Sequence, residues 1–138
     1  ATAFFVELGR AVSATDYIDL VKWTGSYTRR MASWWAGGQD LLLTPTLAGP
    51  PPKIGELVPD DDDPTGKGLA ITALIPYTPS FNVTGQPAVS LPLAWNEAGL
   101  PLGMQFVGAY GREDLLIRIA SQLEEARPWA GRHPPLFG

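Results

Sequence analysis

The residues with the most familiar chemistry in this chain are few: one histidine, no cysteine, a run of four aspartates and one lysine flanked by glycines. His133 stands among prolines near the C-terminus, which leaves histidine triads and HExxH zinc sites without material. It reads as a solvated tail residue. Asp60, Asp61, Asp62 and Asp63 invite a calcium reading, but an EF-hand loop begun at Asp60 would need Gly at Thr65 and Glu at Ile71. The run reads as solvated charge. In "TGKG" the glycine of a phosphate-binding loop would stand at Asp61, and Gly68 replaces its Ser or Thr. Asn82-Val83-Thr84 has the form of a glycosylation sequon, a match frequent by chance. A GxSxG elbow, an SxxK pair and adjacent serines are all absent, so no catalytic residue, metal ligand or cofactor is assigned.

What remains is polarity where apolar residues are expected. "TPSFNVTGQPAVSLPLAW", residues 78–95, carries three prolines, a glycine and several hydroxyl and amide side chains, and from Gly68 through Asn96 there is no charged residue. If buried, such a stretch has no charge with which to compensate an ion, whose desolvation would cost several kcal/mol.

The elements that would position this stretch are readable from periodicity. "SATDYIDLVKWTGSYTRRMASWWAGG" has a capping box at Ser13 and Asp16 and an apolar stripe through Tyr17, Leu20, Val21, Thr24, Tyr27, Met31, Trp34 and Trp35. We read the two tryptophans as core packing rather than a ligand-stacking platform, and Gly37 and Gly38 as the helix end. "DLLLTPT" reads as a strand buried on both faces, residues 46–68 as an exposed Pro/Gly/Asp-rich loop, and "LAITALIPY" as helix or strand. "AVSLPLAW" and "LPLGMQFVG" flank "NEAG" as a hairpin, with Leu100, Leu102, Met104 and Phe106 on one face and irregularities at Pro92 and Pro101. "EDLLIRIASQLEEAR" is a second helix, buried through Leu116, Ile119, Ala120 and Leu123. Residues 128–138 form a tail without periodicity, expected on the surface. The fold class is α/β, the elements fitting as part of one layered domain.

Composition bounds the partners. The net charge of -4 equals the aspartate run, leaving no basic surplus for nucleic acid. No segment approaches a membrane span. The absence of cysteine suits a reducing cytoplasm, and a chain that opens at Ala1 reads as a piece of something longer.

The order of segments resembles the C-terminal portion of amidase signature enzymes. The strand ending in TPT, "FNVTGQPAVSLP", "GLPLGMQFVG" and the final helix carry that resemblance, from about Ser13 to Arg127. It implies that the whole chain is part of one amidase signature domain, a mixed twisted sheet flanked by helices, acting on a small-molecule amide. The serine nucleophile, cis-peptide serine and lysine of such enzymes would then lie in a missing N-terminal part, since Lys22, Lys53 and Lys67 match no family position. It also implies that Tyr77, Phe81, Asn82, Thr84 and Gln86 border or brace the substrate pocket, with Gly85 and Pro87 fixing the turn. Surface exposed by the missing part would favour self-association, hence a homo-oligomer. Two other readings stay open at this point: a non-catalytic α/β interaction module, and a glutamine-hydrolysing amidotransferase subunit.

Overall fold

The computed structural model describes residues 2–58 and 66–134; the aspartate run and the last four residues of the tail lie outside the described residues. Eight elements follow one another: α1 (Thr2–Arg10), α2 (Ala14–Ala36), β1 (Leu41–Pro45), α3 (Gly66–Leu74), α4 (Pro79–Thr84), β2 (Ala88–Trp95), β3 (Pro101–Gly108) and α5 (Glu113–Ala126). Helices and sheet form the α/β arrangement expected. The strands make a three-stranded antiparallel sheet in the order β1-β3-β2.

Alternation along the strands gives this sheet two different faces. One face carries Leu41, Val89, Leu91, Met104 and Phe106, and α5 closes it with Leu116, Ile119, Ala120 and Leu123. The other carries Leu42 and Val107, against which Trp35 of α2 and Phe81 of α4 pack, with Met31 and Ala109 alongside. β3 is the central strand and holds Val107, which is fully buried. Pro92 sits on the edge strand β2 at a register shift, and Pro101 is the first residue of β3, two positions where a missing N–H costs no ladder bond.

The start of α2 follows the sequence closely. Ser13 caps it, its hydroxyl accepting from the Asp16 N–H (3.1 Å) while the Asp16 carboxylate accepts from the Ser13 N–H (2.9 Å). The Ser13 hydroxyl donating to the Asp16 carboxylate (2.6 Å), and after it the Ser13 N–H, hold the Asp16 carboxyl below the usual carboxylate range. Its stripe behaves otherwise than expected. Met31 and Trp35 reach the core, whereas Tyr17, Leu20, Val21 and Trp23 are more than half exposed and Trp34 lies edge-on to Trp35 with its outer side in solvent. The reason is reach: α2 meets the core through Met31 and Trp35 at its C-terminal end, while Thr24 and Tyr27 are half-buried and its first half stays exposed.

Three further expectations change. β1 is an edge strand with Leu43 half exposed, because among the described residues only β3 pairs with it, so it is not buried on both faces. "LAITALIPY" is helical through Leu74 only, and α3 opens at Gly66, within the last residues read as loop. Of the hairpin residues grouped on one face, Met104 and Phe106 reach the core, while Leu100 and Leu102 stay exposed beside the 96–100 turn. That turn is closed by the Asn96 N–H donating to the Leu100 carbonyl (3.0 Å). The tail is held down: Trp129 packs on the α5 side of the core and the Arg132 guanidinium stacks 3.9 Å over the Trp95 ring.

Candidate amide-binding face

Directly opposed residues in an antiparallel sheet share a face. Thr44 opposes Gln105, and Gln105 opposes Ser90, so one polar row crosses all three strands on the face shared with Leu42 and Val107. Gln105 is buried, and its Nε2 donates to the Thr44 hydroxyl (3.0 Å) and to the Tyr77 carbonyl (3.3 Å). One step toward the strand ends, the Thr46 and Ser90 hydroxyls meet at 2.6 Å although their strands are not neighbours. Gly103 makes that possible. A Cβ there would lie 2.8 Å from both hydroxyl oxygens, so any side chain on the central strand would push the outer two apart. This pair borders a groove of ≈ 490 Å³ lined by Thr46 to Pro51, Ser90 and Leu102 to Met104.

The segment that drew attention in the sequence contains a short helix that proline and glycine content concealed. Pro79 occupies the first turn of α4, where its missing N–H is no loss, and Gly85 ends the helix in the left-handed region at φ +79°. Phe81 is buried against Trp35 and Val107. Thr84 and Gln86 are also buried: the Thr84 hydroxyl lies within hydrogen-bond reach of the Ser80 carbonyl (2.9 Å) and meets the Gln86 side-chain oxygen. The Gly108 N–H donates to the Pro87 carbonyl (3.0 Å) and ties the far end to β3. Tyr77 is half-buried and Asn82 is exposed. Of the five residues singled out from sequence, Phe81, Thr84 and Gln86 therefore pack inward at α4, Tyr77 is half-buried and Asn82 faces out.

Gln105, Thr44, Thr46 and Ser90 were not singled out beforehand. For three of them a signal was available: Thr44, Ser90 and Gln105 are each a lone hydroxyl or amide inside a run of strand-forming apolar residues, and polar groups in such runs come with partners. What the sequence could not supply is the pairing register that brings them into one row. The indole N–H of Trp35 is buried with no acceptor among the described residues. Among those residues no cluster of three or more His, Asp or Glu forms, and no helix is long and apolar enough to cross a membrane.

Residues 2–117 match the Amidase family. The chain belongs to that family. It is 42% identical over 134 residues to the 6-aminohexanoate-cyclic-dimer hydrolase of Pseudomonas sp. (strain NK87), covering 94% of this chain and 26% of the relative. It is 46% identical over 107 residues to the putative amidase AmiC of Mycobacterium bovis, covering 78% of this chain and 22% of the relative. Among solved structures, a 6-aminohexanoate cyclic dimer hydrolase complexed with substrate superposes with a TM-score of 0.88 at 37% identity, over 96% of this chain and 29% of the other. This amidase-family chain thus spans about a quarter of the length of the relatives it matches.

Proposed function

We propose that this chain is the C-terminal part of an amidase that hydrolyses carboxamides, and that its role is to form one wall of the acyl pocket. The nucleophilic serine, the serine joined through a cis peptide and the lysine base stand in the preceding part of the same polypeptide. The observation that carries this reading is the agreement at 37% identity, with a TM-score of 0.88, to a substrate-complexed hydrolase of which the chain covers 29%. Two local features support it. The uncovered half of the α2 stripe and the unpartnered Trp35 donor are what a core would leave behind if its other layers came from elsewhere.

The pocket wall is Tyr77, Phe81, Thr84 and Gln86, with Asn82 at its rim. Its substrate is uncharged at the acyl end, because the stretch from Gly68 to Asn96 has no charge with which to balance an ion. A cyclic amino-acid dimer, whose ring amides consume both charged ends, is the kind of substrate named for the similar hydrolases. The protein works in the cytoplasm, and the chain by itself self-associates through the bare α2 stripe.

Two measurements test this. The isolated 138-residue chain has no amidase activity; turnover of an aryl amide that survives replacement of each of its serines would refute the partial-enzyme reading. The full-length protein has a higher kcat/KM for a neutral carboxamide than for glutamine; the reverse order would refute the neutral-pocket reading and favour an amidotransferase subunit.

A further inference from the structure

Three contacts tie the 77–87 segment to β3. The Tyr77 carbonyl accepts from the Gln105 side chain (3.3 Å), Phe81 packs on Val107, and the Pro87 carbonyl accepts from the Gly108 N–H (3.0 Å). The second and third contacts are of ordinary kinds, an apolar packing and a backbone bond. The first is not. It places the one amide side chain of the central strand, 5% exposed, where apolar residues would give a simpler core.

That side chain holds two acceptors from two different layers. Its Nε2 carries two protons, one directed to the Thr44 hydroxyl on β1 (3.0 Å) and one to Tyr77 at the entry to α4. Leu and Met have comparable bulk but could pair neither acceptor, and a buried acceptor without a donor is costly. From this placement we infer that Gln105 is a positioning residue: its side-chain amide latches the entrance of the 77–87 segment to the β1–β3 ladder and so sets where that wall stands. The inference rests on the reading of 77–87 as a pocket wall only for its functional consequence. The latch itself is a statement about position.

The two parts separate experimentally in the full-length protein. Gln105→Met removes both donors while filling most of the volume. Hydrogen exchange of backbone amides 78–86 then speeds up by about ten-fold or more, the range expected when one buried bond is lost, while amides of β3 from Met104 to Val107 keep their protection. Thr44→Val, which leaves the bond to Tyr77 in place, changes exchange of 78–86 by less than about two-fold. Should Gln105→Met fail to fold, Gln105→Asn carries the same test, because it keeps the amide but shortens it by one methylene. Unchanged exchange at 78–86, or an equal rise across all three strands, overturns the latch and leaves Gln105 as a general brace. If exchange rises locally and KM for a neutral carboxamide rises with kcat unchanged, both the latch and the wall stand. A local rise in exchange with unaltered KM supports the latch and removes the wall reading instead.

Discussion

The two faces of this small sheet are built from the same strands and do different work. The α5 face is apolar: Leu91, Phe106 and Leu116 form its buried centre, and α5 closes it with a single amphipathic stripe. The opposite face carries a row of hydroxyl and amide side chains, a glycine that lets the outer strands touch, and a short helix held by side-chain as well as backbone bonds. A groove of ≈ 590 Å³ also lies on the α5 side, between the β2 edge and α5, lined by Val89, Leu116, Ile117 and Ala120 and flanked by Glu113 and Glu124. Size does not make it the better site. Polar groups converge on the other face, and convergence is what fixes the orientation of a bound amide. The α5 face is a means of stability; under the proposed function the polar face spends some of that stability on placement.

This contrast predicts different responses to substitution. The largest loss of stability is expected from Leu116→Ala, about 2–5 kcal/mol by denaturant titration, since it opens a cavity in the closed apolar face. Gly103→Val is next, at about 1–3 kcal/mol, because its side chain would occupy the space where Thr46 and Ser90 meet. Combining it with Ser90→Ala should recover part of that loss, whereas combining Leu116→Ala with Ser90→Ala should be additive. Ser13→Ala should cost about 1 kcal/mol through the α2 cap. Its effect depends on pH. The folded-state pKa of Asp16 is depressed by its bonds to Ser13, so the stability it contributes is present above the unfolded carboxylate pKa and lost as pH falls through the lower folded one. The Ser13→Ala variant should therefore show a flatter acid limb in a thermal-melt series than the parent.

The same contrast explains what could be read in advance. The α5 face was legible because its signals are local: helical spacing from Leu116 to Leu123, alternation along β3, and a turn at "NEAG". The cap at Ser13 was legible for the same reason. On the polar face the composition was visible but the geometry was not. Thr44 and Gln105 are far apart in sequence and meet only through strand register, and α4 was hidden because proline at a helix start and glycine at its end look like loop residues until the dihedral angles are known. The α2 stripe shows a different limit. Its spacing identifies a face that wants to be buried, and it does so correctly at Met31 and Trp35, but spacing cannot say whether the partner for Tyr17, Leu20 and Trp23 lies within this chain.

The division of labour between the faces can be measured with two isosteric or near-isosteric changes in the full-length protein. Thr84→Val keeps its volume and removes the hydroxyl that meets Gln86 and the Ser80 carbonyl; Leu116→Val trims the α5 face by one methylene. The readout is kcat/KM on a neutral aryl amide, expressed per folded molecule. The account expects Thr84→Val to fall by about ten-fold or more, since a displaced pocket wall misaligns the substrate, and Leu116→Val to stay within about two-fold while losing stability. Equal losses in the two variants, or the larger loss in Leu116→Val, would contradict the assignment of substrate placement to the polar face.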